Sequence, residues 1–176
     1  FSGQHLLPGS IPVAMAYSGH QFGHFNPQLG DGRALLLGEF WGADQSLYDL
    51  HLKGSGRTRY SRGGDGKATL GPMLREWIIS EALAAFNVPT TRALAIVLTQ
   101  EKVQRDQVLP GAILARVARG HIRVGTFEHF AARKDALSLK ILADYTISRL
   151  NLEPENYQNF YLWVIEQQAK LIAEWM

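Results

Sequence analysis

Cysteine is absent from the 176 residues, so neither a disulfide nor a cysteine-ligated zinc site can form. That absence suits a reducing compartment. Long hydrophobic runs are missing too. The longest aliphatic stretch, Ala93 to Leu98, falls far short of the roughly 20 residues a membrane-spanning helix needs. No basic stretch followed by an apolar one stands at Phe1, so no signal peptide is read there. An excess of one charge is also lacking: 18 Lys and Arg against 16 Asp and Glu leave +2, which argues against a nucleic-acid partner. Neither the Walker pattern Gly-x-x-x-x-Gly-Lys-Ser/Thr nor the Rossmann glycine fingerprint occurs. No Ser-His-Asp order, nucleophile elbow or internal repeat stands out.

What is present suffices for a packed core. A hydrophobic share of 46% with 10% aromatics excludes global disorder, and the length suits one domain, or one plus part of another. The chain starts at Phe1 without an initiator Met and stops at Met176 inside a helical pattern, and it reads as a fragment.

Residues 1–32, with Gly3, Gly9, Gly19, Gly23, Gly30 and Gly32, read as loop and turn. Ala34 to Phe40 and Leu47 to Lys53 read as a hairpin about the turn Gly42 to Gln45. In the second strand Tyr48, Leu50 and Leu52 oppose Asp49, His51 and Lys53. Gly54 to Gly71 is a long glycine-rich loop, a length that is uncommon unless it has a task. Pro72 to Phe86 predicts a helix with an apolar stripe of Leu74, Trp77, Ile78, Ala82, Ala85 and Phe86, ended by Asn87 and Pro89. Arg92 to Thr99 predicts a buried strand, Gln100 to Pro110 a polar connection, and Gly111 to Arg119 another strand. Thr126 is placed as the cap of a short helix to Arg133. Longer helices follow over Asp135 to Leu150 and from Pro154 to the chain end. Strands with one helix, followed by helices only, predict an α+β fold of two lobes, divided near Ala118 to Gly120.

Four clusters carry chemistry. Gln28-Leu29-Gly30-Asp31-Gly32-Arg33 reads either as a plain β-turn or as an anion nest whose glycines let the backbone approach a ligand. Lys53 on a strand with Glu76 on the next helix reads either as two surface charges or as the protein-kinase arrangement, in which the lysine holds phosphates and the glutamate orients it. Lys53, Arg57, Arg59, Arg62 and Lys67, opposed only by Asp65, read as a solvated loop or as a polyphosphate grip. Tyr60 is the single aromatic among them, too few for a base-stacking platform. Arg116 lies on an apolar strand near Arg119, His121 and Arg123. It therefore needs an anionic partner: Glu76, Glu128 or a ligand phosphate. His20 and His24 have metal-ligand spacing for a helix, but Gly19 and Gly23 argue against one, and both read as structural.

The stretches YSGHQFGHFNPQLGDGRALLLGE, LKGSGRTRYSRGGDGKATL, REWIISEALAAFNVPTTRAL and ARVARGHIRVGTFEHF resemble the selenoprotein O family, in the right order and over essentially the whole chain. The resemblance implies a protein kinase-like fold. Residues 1–119 would form a mixed-strand N-lobe with one key helix and a nucleotide-binding glycine loop, and residues 120–176 the beginning of a helical C-lobe. It also implies an adenylyltransferase that moves AMP from ATP to Ser, Thr or Tyr hydroxyls of proteins. By motif match, Gly30, Gly32, Arg33, Lys53, Asp65, Gly66, Arg116 and Arg123 would contact ATP, and Glu76 would orient Lys53. Gly64, Arg59 and Gly120 depart from the family pattern without removing a charged contact. The catalytic aspartate and the Mg²⁺ ligands are expected just after Met176, so the 176 residues alone are expected to be inactive. The expected compartment is the cytoplasm for a bacterial source and the mitochondrion for a eukaryotic one, with no membrane partner. The alternative readings are a kinase-like phosphotransferase and a nucleotide-binding module without activity.

Overall fold

The computed structural model describes His5 and residues 8–176; Gly3 lies outside the described residues. The fold is α+β. Two short strands, β1 (Gly19–Gln21) and β2 (His24–Asn26), make a hairpin, and β3 (Ala34–Trp41), β4 (Leu47–Lys53), β5 (Arg92–Gln104) and β6 (Val108–Ala118) make an antiparallel sheet in the order β3-β4-β6-β5. The helices are α1 (Leu70–Ala85), α2 (Val124–Ala131), α3 (Ala136–Arg149) and α4 (Tyr157–Trp175). Among the described residues no helix is long and apolar enough to cross a membrane.

The first hairpin corrects the expectation of plain loop before residue 32. Phe22 and Gly23 both take positive φ, 53° and 79°, the geometry of a two-residue turn matched to strand twist. His20 pairs with Phe25 and His24 with Gln21, so the two histidines sit on different strands rather than one helix face.

β6 lies between β4 and β5 and is covered on both sides. Ile113 and Ala115 join Leu37 and Leu52 in one cluster, while Ala112 and Leu114 join Ala68 and Met73 in another. The alternation of side chains along a strand sets this division. His51 pairs with Arg116 and Lys53 with Leu114, so these four share one sheet face. The polar half of β4 thus points inward: Asp49 and His51 are buried.

Four further expectations are corrected. The apolar stripe assigned to α1 is largely outside: Trp77, Ile78 and Phe86 are exposed, whereas Met73 and Ser80 are buried. Glu76 lies between those two on the helix and reaches the charged sheet face, so the inward side is set by polar partners rather than by the greasiest stripe. β5 is an edge strand with Leu94 and Leu98 exposed, not a buried one. Pairing of Lys102 with Pro110 and of Gln104 with Val108 carries the hairpin through most of the stretch read as a connection, which shrinks to Arg105–Gln107. Thr126 is not the cap of α2. Arg123 is, and the Thr126 hydroxyl accepts from the Arg123 N–H at 3.2 Å. The end of α1 agrees with expectation: Asn87 is left-handed (φ 61°), and Asn87 and Val88 donate to Ala84 and Leu83, a closing pattern that satisfies the last carbonyls.

The inward phase of α1 is testable by denaturant unfolding. Met73→Ala, at a site 1% exposed, is expected to cost about 2–5 kcal/mol. Trp77→Ala, 45% exposed, is expected to cost clearly less; the reverse order would place the sequence-read stripe inward after all.

Candidate functional site

A cleft of about 510 Å³ opens between the glycine turn before β3, the ends of β4 and β6, the 54–69 loop and the start of α2. It contains eight of the nine residues singled out in the sequence: Gly30, Gly32, Arg33, Lys53, Asp65, Gly66, Arg116 and Arg123. The ninth, Glu76, stands behind it and pairs with both Lys53 and Arg116, the latter at 3.0 Å. The alternative of two separate surface charges for Lys53 and Glu76 is therefore excluded. The partner of Arg116 is Glu76, not Glu128.

The lining cations are Arg33, Lys53, Arg62, Lys67, Arg105, Arg116 and Arg123, against the carboxylates Asp31 and Asp65. Some are already neutralised. Arg105 holds Asp65 at 2.8 Å, and Lys67 holds Glu101 at 3.0 Å. Hydrogen bonding from Arg105 and the Lys67 backbone keeps the Asp65 carboxyl down at about 2. Among the described residues Arg33 and Arg62 have no carboxylate partner, so the cleft keeps an excess of positive charge facing solvent. Arg57 instead donates to the Gly64 and Gly63 carbonyls, pinning its own loop, and Arg59 lies over the Tyr60 ring. The five-cation run is thus divided between the cleft and loop structure.

Burial lowers the Lys53 ammonium below its usual value, opposed by the hydrogen bond and charge of Glu76. Burial alone would raise the Glu76 carboxyl. Its contacts with Lys53 and then Arg116 outweigh that and hold it below the ordinary carboxylate value, so it stays ionised. One carboxylate shared by two cations leaves net positive charge facing the cleft.

The glycines act in a way the sequence did not reveal. Gly30 takes φ 68°, and a Cβ there would lie 2.2 Å from the Tyr60 ring. Gly66 takes φ 67°, and a Cβ there would lie 2.0 Å from the Gly56 carbonyl oxygen. The close approach is by the protein's own 54–69 loop. Thr58 and Ser61 hydroxyls donate to the Asp31 and Gly32 carbonyls, both at 2.6 Å, and fix that loop over the turn.

Sequence reasoning missed a buried polar layer behind the cleft. His51 contacts Asp31 at 3.3 Å and Arg116 at 2.7 Å, and its ring stacks on His121 at 4.3 Å. His121 bonds Asp49, which Arg149 of α3 grips at 2.7 Å; Arg149 also pairs with Glu39 on β3. Arg123 approaches Asp31 at 3.8 Å and lies over the Tyr17 ring at 4.2 Å. The polar alternation of β4 was the available signal, since Asp49, His51 and Lys53 stand two apart in an otherwise apolar strand. Among the described residues no group of three or more His, Asp or Glu is set to hold a metal ion. The two carboxylates that line the cleft, Asp31 and Asp65, are each already approached by an arginine, Arg123 and Arg105.

Fold and site together define an α+β domain with a cation-lined cleft open to solvent. The chain belongs to the family described as Protein adenylyltransferase SelO, which matches residues 1–176. It is 58% identical to Protein nucleotidyltransferase YdiU of Nitrobacter hamburgensis over 99% of this chain and 35% of that protein. It is 57% identical to the protein of the same description from Rhizobium rhizogenes, over 100% and 36%. With that of Teredinibacter turnerae it shares 53% identity, over 100% and 38%. The chain thus spans little more than a third of the length of the curated relatives it matches.

The packing of Tyr60 on Gly30 can be read by a double-mutant cycle. Gly30→Ala is expected to destabilise by about 2 kcal/mol or more, from left-handed strain plus overlap with the ring. Adding Tyr60→Ala is expected to recover the overlap but not the strain. Strict additivity of the two would show that the ring does not pack there.

Proposed function

We propose that the cleft grips the triphosphate of ATP and that the protein carrying it transfers AMP to Ser, Thr or Tyr hydroxyls of other proteins. The observation that carries this reading is Glu76 shared between Lys53 and Arg116, behind a cleft where cations outnumber carboxylates. Gly30, Gly32 and Arg33 would approach the nucleotide from the turn, and Asp65 and Gly66 from the long loop. Family membership favours AMP transfer over phosphate transfer.

In the reaction the acceptor oxygen bonds the α-phosphorus, the bond from that phosphorus to the bridging oxygen of the β-phosphate breaks and pyrophosphate departs, while the hydroxyl proton passes to the catalytic aspartate expected beyond Met176. Lys53, Arg116 and Arg123 would neutralise the charge growing on the departing pyrophosphate. A lysine and arginine held by a carboxylate are oriented before the nucleotide arrives, so little reorganisation is needed during reaction. Mg²⁺, with its ligands expected beyond Met176, would add to that neutralisation.

On this reading residues 1–119 form the nucleotide-gripping lobe of a kinase-like fold and residues 120–176 begin a helical lobe. Its support is that every strand ends by Ala118 and three helices follow. The named relatives are bacterial, which favours a cytoplasmic setting over a mitochondrial one.

A phosphotransferase is the second reading, because the Lys53–Glu76 pair would serve either chemistry. Labelled nucleotide separates the two: transfer of α-phosphate label to protein is expected, transfer of γ-label alone means kinase action, and neither means binding only. Lys53→Ala is expected to cut α-label transfer by at least about a hundredfold, and Arg116→Ala and Arg123→Ala to impair it as well. Wild-type labelling by all three variants would remove the clamp assignment.

A further inference from the structure

His51 is fully buried, on β4, and neither the family resemblance nor the reaction above uses it. Its two ring nitrogens have different partners. Nδ1 lies 2.7 Å from Arg116 Nη2, and Nε2 lies 3.3 Å from Asp31 Oδ2. A guanidinium can only donate, so Nδ1 must accept, and the proton therefore sits on Nε2 and is donated to Asp31. The ring is fixed as one neutral tautomer by partners on two different elements. Arg116 Nη1 is held by Glu76 and Nη2 by His51, while Nε is buried without a hydrogen-bond partner.

We propose that His51 is a positioning residue for the anion site: its neutral imidazole, anchored by Asp31, accepts from Arg116 and sets the angle at which that guanidinium faces the cleft. The proposal rests on the reading of Arg116 as a phosphate contact. It also gives the site a pH dependence. A proton added at Nδ1 removes the acceptor and sets an imidazolium against the Arg116 guanidinium. The groups facing His51 are Asp31 from the turn, Arg116 from β6 and the stacked ring of His121, whose own Nδ1 is held by Asp49. Burial first, then the charges of Arg116 and His121, push the imidazole below its usual value of 6.5, while Asp31 pulls the other way. The neutral form therefore persists to a lower pH than in an ordinary histidine, and Arg116 is released only below about pH 6.5.

Two substitutions divide the contacts. His51→Asn leaves an amide oxygen near the Nδ1 position, and His51→Gln leaves an amide donor near the Nε2 position but no acceptor for Arg116. The measurements are ATP affinity by calorimetry from pH 7.5 to 5.5, thermal melts of each variant, and the nitrogen-15 spectrum of the histidine side chains. At pH 7.5 His51→Gln is expected to weaken ATP binding about tenfold, the scale of one hydrogen bond to a charged group, and His51→Asn by no more than about threefold. Below pH 6.5 the wild type is expected to lose affinity faster than His51→Asn, which has no ring to protonate. The spectrum should show Nε2 protonated and Nδ1 bare at neutral pH. Equal binding by wild type and a folded His51→Gln, or a proton on Nδ1 at neutral pH, overturns the proposal. If His51→Gln does not fold, the wild-type spectrum and the pH difference against His51→Asn decide. A wild type that binds no ATP overturns the proposed function instead, and the spectrum alone then decides whether His51 holds Arg116.

Discussion

Glu76 is the charge on which the cleft depends. Lys53 comes from β4 and Arg116 from β6, and each is mostly buried. Two such cations would repel one another and be costly to desolvate without an anion between them. Glu76 supplies that anion from α1, and the need to reach both cations sets which side of the helix faces the sheet. One carboxylate for two cations also leaves the pair under-neutralised, which is the condition for taking up an anion from solution.

The same logic extends away from the cleft. Asp31 faces His51 and Arg123, and Asp49 faces His121 and Arg149. Arg149 belongs to α3, so that helix is tied to the sheet by its ion pairs with Asp49 and Glu39, with Tyr145 adding a hydrogen bond to Glu39. The sheet face under α1 is apolar beneath Met73 and polar toward β4. Ion pairs of this kind demand particular geometry and tolerate little displacement, because a buried partner left alone is costly. A cleft built on them is oriented before any ligand arrives.

Much of the architecture was legible along the chain. The hairpin of β3 and β4, the long loop, α1, β6 and the three later helices follow from local alternation, helical periodicity and glycine or proline stops. The two-residue turn at Phe22 was not legible, because a phenylalanine at positive φ gives no warning. The edge position of β5 was hidden as well: Ile96 and Val97 read as buried whether a strand has one neighbour or two. At the site, Arg116 stood out because a charge on an apolar strand needs a partner, and Lys53 with Glu76 because a strand lysine followed by a helix glutamate is the kinase arrangement. His51, Asp31 and Asp49 did not, since each looks like an ordinary polar residue of a turn or an amphipathic strand.

The sequence by itself determined the order of the main sheet strands and of the helices, the excess of cations in the long loop and the family to which the chain belongs. These rest on neighbours along the chain and on motifs short enough to read directly. The tertiary structure decided which face of α1 turns inward, that the glycines at 30 and 66 make room for the protein's own loop, and that a histidine at 51 meets an arginine 65 residues away. The reason is physical. A charge or a ring nitrogen has no preferred partner until folding removes water from around it, and only the packed sheet and helix select which partner that is.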